Sequence, residues 1–408
     1  MKILIYGLNY APEPTGIGRY TGEMGAWLAA RGHSVRVVTA PPYYPAWRVA
    51  DGQRRFYHRD RLDGADLLRC PLWVPHNPTG RKRLLHLASF AATSAPALLA
   101  MAIAWRPEVL VAVSPTFFGV PAAALAAALC GARSWLHIQD LEIDAAFDLG
   151  LLPKRPAIER LAFGAERVFL RAFDRVSTIA PAMRARLAAK GLAETRLALF
   201  PNWADLSAIA PLPGPSAFRT ELNLPPGQQV ALYSGNLGQK QGLEVLIDAA
   251  TRLCHRSDLV FVIAGDGAGA ARLRDGARGL ANVRFLPVQP ASRLNALLGL
   301  ADIHLLPQRA DAAGAMLPSK LSGILASGRP VVAGARPGTD LARAIEGCGL
   351  AVTPDDGAAF AAAILDLLDD PERRTTLGAA ARARALAEWD RDAILARFEA
   401  ELATLTGA

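Results

Sequence analysis

Residues Val230–Gly267 read VALYSGNLGQKQGLEVLIDAATRLCHRSDLVFVIAGDG. The apolar, β-rich run Val230–Tyr233 enters a loop carrying Gly235, Gly238 and Gly242. Leu243, Leu246, Ile247 and Ala250 then recur at helical spacing, and Leu259–Ala264 is a second apolar run of strand length. The stretch is strand, glycine loop, helix, strand, the repeating unit of a parallel α/β sheet. A glycine loop that opens a helix turns backbone N–H groups and the positive end of the helix dipole toward an anion. Lys240 lies in this loop, where the dipole repels it unless an anion sits between them. An ordinary βα turn with a solvated lysine fits the same residues.

The use of lysine elsewhere separates these readings. The 45 basic residues are 39 Arg and 6 Lys, so arginine supplies nearly all the plain surface charge, and beyond residue 200 only Lys240 and Lys320 remain. Lys320 follows Leu317-Pro318-Ser319 and precedes the run Leu321–Ala326, with Pro and Ser as helix-start residues. Both lysines therefore fall at predicted helix N-termini, where compact ammonium groups suit phosphate. Together they read as a clamp for a diphosphate.

A chain of 408 residues predicts two domains, and 51% hydrophobic with 20% charged content provides core rather than disorder. Cys70, Cys130, Cys254 and Cys348 form no CxxC and read as free thiols in a reducing compartment. The seven histidines form no HxxxH pair, so no metal centre is expected. The N-terminus runs directly into a strand without a signal-peptide pattern, which predicts a cytoplasmic protein. The net charge of +8 is uneven: residues 1–200 hold 25 basic and 15 acidic side chains, and the remainder 20 and 22. No aromatic–basic interleaving accompanies the basic half. An anionic membrane surface or a phosphate-bearing substrate is expected there, and no nucleic acid.

Strand Ile3–Tyr6 leads into a long loop, Asn9–Gly18, and a helix from Arg19 to Arg31. The loop is not GxGxxG, which removes the main support for a dinucleotide enzyme. Gly16 and Gly18 let backbone approach a ligand, or serve a plain turn. His33 reads as structural. Val35–Thr39 is a second strand, and residues 40–78, rich in Pro, Tyr, Trp and Arg, read as an irregular excursion. Arg81-Lys82-Arg83 precedes Leu84–Trp105, which has no formal charge and the length to span a bilayer. Spanning would separate strands of one sheet, so one helix, or two divided at Pro96, is expected, buried or set in one leaflet. Strand Val109–Val113 and helix Val120–Leu129 follow. In Trp135-Leu136-His137-Ile138-Gln139-Asp140 a buried strand ends in polar groups, which places His137, Gln139 and Asp140 at a crevice or leaves them as hydrogen-bonded strand-end residues. Asp140, Glu142 and Asp144 alternate without histidine and are a weak metal signal. Prolines from Pro201 to Pro215 read as a linker, and Val230, Leu259, Val283, Ile303 and Val331 mark the strands of a second domain. The expected division is 1–200, 201–388, and a last helix, 389–408, that turns at Trp389 back to the first domain.

Four stretches carry a family resemblance: Tyr10-Ala11-Pro12-Glu13-Pro14-Thr15-Gly16-Ile17-Gly18-Arg19-Tyr20, His137-Ile138-Gln139-Asp140, Ser234-Gly235-Asn236-Leu237-Gly238-Gln239-Lys240-Gln241-Gly242 and Leu317-Pro318-Ser319-Lys320-Leu321. Over nearly its whole length the chain resembles the retaining GT-B glycosyltransferases of family 4, in the branch with the colanic-acid-type fucosyltransferases of exopolysaccharide synthesis. The resemblance implies an α/β fold of two Rossmann-like domains facing across a cleft. It also implies no cofactor but a nucleotide-diphosphate-sugar donor, GDP-fucose or a UDP-sugar, bound mostly by the second domain. Lys240 and Lys320 would hold the diphosphate with Gly235, Asn236, Pro318, Ser319 and Leu321. Gly16 and Gly18 would face it from the first domain, and Gly265, Asp266, Gly267, Val288 and Gln289 would lie near the nucleoside. His137 would contact the donor sugar. The family's usual arginine and ribose-binding glutamate are replaced here by Asn236 and Gly323.

The chemistry expected is glycosyl transfer with retention. Preorganised positive charge would stabilise the departing diphosphate while an oxocarbenium-like sugar forms. No paired carboxylates at double-displacement spacing are evident, so no enzyme nucleophile is expected. By resemblance, the leaving phosphate oxygen takes the acceptor proton, and Asp140 orients the acceptor or acts as a weak base. The acceptor would be a polyprenyl-diphosphate-linked saccharide at the inner membrane, with the protein bound peripherally. A nucleotide-sugar epimerase, or a non-catalytic nucleotide-sugar-binding protein, is the alternative.

Overall fold

The computed structural model describes residues 1–14, 16–76, 80–114, 117–148, 155–238, 241–310 and 317–407, apart from the side chains of Arg81, Ala145 and Asp148. It divides into two compact units, Met1–Pro201 with Leu395–Ala408, and Asn202–Ile394. Trp389 ends a helix, and the change of unit comes after Ile394.

Among its described residues the first unit has an eight-stranded sheet. The strands are β1 Lys2–Gly7, β2 Ser34–Thr39, β3 His58–Leu62, β4 Ala65–Arg69, β5 Val109–Ser114, β6 Arg133–Ile138, β7 Arg175–Thr178 and β8 Leu197–Leu199, in spatial order β3-β4-β2-β1-β5-β6-β7-β8. All pairs are parallel except β3 with β4, and Ile3 lies in register with Val35 on one side and Val109 on the other. Central strands covered on both faces need uninterrupted apolar runs, and all six residues of VLVAVS in β5 are buried. The order reverses between β1 and β5, and in open α/β sheets such a reversal opens a crevice at the strands' carboxyl ends.

Two expectations change here. The 40–78 excursion contains β3 and β4, joined through Asp63 and Gly64, both at positive φ (48° and 85°), the pair a two-residue hairpin turn needs. The charged sequence HRDRL suits β3 to an edge position. The apolar run is one helix, Gly80–Trp105, continuous through Pro96. Its segment Lys82–Trp105 is long and apolar enough to cross a membrane by length and composition. Phe90, Leu98 and Ala102 are nonetheless fully buried in the unit's core, and Ser94 hydrogen-bonds Tyr6 of β1 (2.8 Å), so the helix is a layer of this unit. On the other face the last helix, Arg391–Thr406, sets Phe398 against Trp135 and Phe200, with ring centroids 5.0 and 4.4 Å apart. Glu399 of that helix accepts from His33 (2.7 Å), giving this histidine its structural role.

The second unit's sheet, among the described residues, has six parallel strands: β9 Gln229–Ser234, β10 Leu259–Ala264, β11 Val283–Leu286, β12 Ile303–Leu306, β13 Val331–Gly334 and β14 Gly349–Val352, in the order β11-β10-β9-β12-β13-β14. The reversal falls between β9 and β12. Sequence periodicity misses β14, a four-residue edge strand. The helices Gly357–Leu368 and Pro371–Glu388 begin at Asp356 and Asp370, whose side chains accept from Ala359 N and Arg373 N.

Candidate functional site

In the second unit the site forms at the reversal between β9 and β12. β9 delivers Tyr233, Ser234 and Gly235 at its carboxyl end. The loop after β10 folds against them: Gly235 N donates to Ala264 O (2.9 Å), Leu237 N to Asp266 O (2.8 Å) and Gly269 N to Leu237 O (2.7 Å). Backbone packs on backbone, which only glycine permits here. A Cβ on Gly265 (φ 143°) would lie 1.9 Å from Gly235 O, and one on Gly267 would lie 2.5 Å from Asn236 Oδ1. Two of the sequence-expected groups, Gly235-Asn236 and Gly265-Asp266-Gly267, are therefore brought together.

Lys320 reaches the same place from the loop after β12. Its Nζ donates to Tyr233 Oη (2.9 Å) and lies 4.2 Å from that ring's centroid, while Tyr233 Oη donates to Asn236 O (2.7 Å). A Cβ on Gly235 would stand 2.9 Å from Nζ, so this glycine makes room for the ammonium. Desolvation pushes the Lys320 pKa down to about 8. No carboxylate pairs with it among the described residues, and one of its three N–H groups is engaged. The result is a held, partly dehydrated cation with donors to spare. Tyr233 was not singled out from the sequence, because a tyrosine in an apolar strand reads as core.

The remaining expected residues divide. Pro318 and Ser319 precede the helix Leu321–Ala326, but the Leu321 side chain is fully buried in the core, which corrects its expected ligand contact. That helix has six residues, and the other, Glu244–Arg252, carries a carboxylate in its first turn. The local positive potential therefore comes from Lys320 more than from the expected helix dipoles. Val288 and Gln289 follow β11; Val288 is exposed, and Gln289 hydrogen-bonds Pro287 O and Arg293. Lys240 lies outside the described residues. Beside Gly242 a cavity of about 370 Å3 is lined by Glu244, Arg272, Arg309 and Asp355.

In the first unit the loop after β1 is fixed by buried polar groups. Glu13, 4% exposed, accepts from Tyr43 N (3.1 Å), Tyr44 N (3.0 Å) and Asn9 Nδ2 (2.9 Å), and burial raises its pKa. Arg69 is fully buried and donates to Ala40 O, Ala11 O and Asp60, tying that loop to β2 and β3. Gly18 faces this framework: a Cβ there would lie 2.4 Å from Glu13 Oε2, so its glycine is required by Glu13 and not by approach of a ligand. Gly16 has room, its nearest neighbour being Tyr44 at 3.7 Å, and is glycine for its φ of 66°.

His137 is the largest correction. Trp135 and His137 share the face of β6 that meets Phe398 and Phe200, and His137 is 3% exposed. Its Nδ1 hydrogen-bonds Ser177 Oγ (2.9 Å), its Nε2 lies 2.9 Å from the Gln139 amide, and burial lowers its pKa to about 3. The ring is neutral, and both of its nitrogens are satisfied within the first unit. Asp140, past the end of β6, is partly buried. Its charge adds to the burial that raises the Glu142 pKa to about 7, while Glu142 accepts from Phe117 N (2.6 Å). Sequence reading treated Glu142 only as a metal ligand; the structure makes it a carboxyl able to exchange a proton near neutrality. Asp144 is paired with Lys190, which also holds Glu166 (2.7 Å). Among the described residues no group of three or more His, Cys, Asp or Glu side chains is arranged for a metal.

Comparison with known proteins covers both units. Residues 15–203 match the family described as glycosyl transferase 4-like domain, and residues 216–384 that described as glycosyl transferases group 1. A protein of Escherichia coli K12, putative colanic acid biosynthesis glycosyl transferase WcaI, is 44% identical over 407 residues, 98% of each chain. Among solved structures, sucrose-phosphate synthase from Thermosynechococcus elongatus matches with a TM-score of 0.76 at 19% identity over 100% of both chains. Anabaena HepE, solved in complex with UDP, matches with a TM-score of 0.70 at 16% identity, covering 99% of this chain and 100% of its own. The architecture of two parallel-sheet α/β units is that of the GT-B fold.

Proposed function

Because the chain belongs to the GT-B glycosyltransferases that pair a glycosyl transferase 4-like domain with a group 1 domain, we propose that it moves a sugar from a nucleotide-diphosphate donor to a lipid-linked saccharide in bacterial exopolysaccharide synthesis. The observation that carries this reading is Lys320, a desolvated ammonium held on Tyr233 between two glycine loops, with no carboxylate paired to it among the described residues. Such a group favours an anion that brings its own charge, and a diphosphate developing negative charge as its sugar departs is the strongest candidate. The similarity to the E. coli colanic acid glycosyl transferase supports the pathway, and the UDP complex of HepE supports the donor class. GDP-fucose and UDP-sugars are the donors to try first.

Lys240, between Gly238 and Gly242 in the sequence, is the second diphosphate ligand in this proposal. Transfer proceeds with retention, and the leaving phosphate oxygen accepts the acceptor proton. Asp140 and Glu142, at the carboxyl ends of the first unit's strands, orient the acceptor hydroxyl. The basic excess of the first unit and Arg81-Lys82-Arg83 at the start of the Gly80–Trp105 helix favour a protein held at the cytoplasmic face of the inner membrane.

A thermal-shift screen of nucleotide sugars tests the donor, since a ligand of the folded state alone raises apparent stability with the logarithm of its concentration. The stabilising donor is then offered with a polyprenyl-diphosphate saccharide. Stabilisation without transfer to any lipid-linked acceptor would refute the catalytic reading. An isomerised donor formed in the absence of acceptor would replace it with epimerisation.

A further inference from the structure

At the carboxyl ends of β2 and β4, on the β1 side of the reversal between β1 and β5, the first unit has a cavity of about 280 Å3 that the roles above leave unused. Trp47 and Arg48 reach it from the segment after β2, Trp73 and His76 from the segment after β4, and Arg55 from between them. The rest of the lining is Pro, Val and Leu.

The Trp47 ring and the Trp73 backbone are held. His86, buried on the Gly80–Trp105 helix, donates Nδ1–H to the Trp73 carbonyl (2.6 Å), and its ring centroid is 5.4 Å from that of Trp47. Arg83 lies over the Trp47 ring at 5.3 Å. The lining charges are all basic. Arg48 is paired with the exposed Asp51 (3.1 Å), whereas Arg55 and His76 have no hydrogen-bonding or acidic partner among the described residues.

Size and chemistry narrow the ligand. Sites for ligands of nucleotide size run from about 300 to 1,000 Å3, so this cavity suits a smaller body. Indole presents a flat apolar face against which the C–H face of a pyranose can lie. Guanidinium groups pair with carboxylate or phosphate and give little preference to a neutral sugar. We infer that the cavity is a subsite for one acidic pyranose, a sugar unit bearing a carboxylate or a phosphate, within the acceptor. The inference rests on the reading above only in calling that saccharide the acceptor.

Isothermal titration calorimetry with methyl glucuronoside, glucose 6-phosphate and glucose tests it on the full chain. Both acidic sugars should bind at least tenfold more tightly than glucose, and the tighter of the two identifies the anionic group. Arg55→Gln should abolish the preference, and Trp73→Ala should weaken all three sugars about tenfold. Stabilisation of the chain by UDP or GDP, measured in parallel, should be unchanged in both variants and confirms that they fold. Equal binding of glucose and the acidic sugars, or an undiminished preference in Arg55→Gln, would overturn the subsite. So would variants that bind the sugars normally but lose binding to anionic vesicles, which would make this surface a membrane contact. Failure of every nucleotide to stabilise the protein, with acidic-sugar binding intact, would count against the transferase reading and leave the subsite standing.

Discussion

Replacing Lys320 with methionine should make the empty protein more stable and the donor site useless. Methionine is unbranched and one atom shorter than lysine, and it removes the charge; Tyr233 Oη keeps its donation to Asn236 O. Desolvation lowers the lysine from its ordinary 10.5 to about 8, and at about 1.4 kcal/mol per pH unit the charged form is strained by on the order of 3 kcal/mol. That value is an upper limit on the gain, because relaxation and water entry recover part of it. For a unit of this size it corresponds to roughly 6–12 °C of melting temperature. The sign follows from proton counting. The folded pKa lies below the unfolded one, so between pH of about 8 and 10.5 the unfolded chain binds more protons, and wild-type stability gains from this group as pH rises through that window. The advantage of Lys320→Met should thus be full below pH 8 and vanish toward pH 10.5. Melting curves across pH 7–10.5, with and without UDP or GDP, measure both effects. A diphosphate should stabilise the wild type and not the variant. A variant that melts no higher than wild type at pH 7 and is stabilised equally by the nucleotides would refute both the strain and the anion-binding role.

Gly265→Ala forces a Cβ to within 1.9 Å of Gly235 O at a φ of 143°, and should lower unfolding free energy by about 3 kcal/mol or more in urea titrations; wild-type stability would contradict the packing described. Arg69→Gln leaves the buried carbonyls of Ala40 and Ala11 and the Asp60 carboxylate short of partners, and a loss of about 3 kcal/mol is expected by the same measurement. Transfer should persist in excess EDTA; loss restored by magnesium or manganese would return attention to Asp140 and Glu142. Changing Arg81, Lys82 and Arg83 together to Gln should remove about 1 kcal/mol of liposome binding per residue at low salt and spare donor affinity. Wild-type protein that stays in the supernatant with anionic liposomes rules out the membrane contact.

The alternation of strand and helix was legible because buried parallel strands must be continuously apolar, as in VLVAVS of β5 and LVFVIA of β10. β3 was missed because an edge strand carries polar residues, as in HRDRL, and β4 because the five residues ADLLR are too few to show a period, although Asp63-Gly64 marked their turn in the sequence. Lys320 was legible by its rarity. Its partner Tyr233 was not, because an apolar strand conceals which residue turns a hydroxyl toward the loop. His137 misled for the opposite reason: alternation along β6 places it on the face with Trp135, and only tertiary structure shows Phe398 and Phe200 closing over that face. Gly18 likewise looked like an approach for ligand until Glu13 was found against it.

The first unit takes its last helix from residues that follow the second, and this sets the order in which the protein can be made. Met1–Pro201 emerges from the ribosome without Leu395–Ala408. Until those residues arrive, the face of β6 that carries Trp135 and His137, together with Phe200, lacks the Phe398 ring. At about 5–20 residues per second, synthesis of Asn202–Ile394 takes roughly 10–40 s. For that interval the nascent chain holds an aromatic strip open to water. Chaperone contact during synthesis should therefore centre on the first unit, and end with the arrival of the final helix.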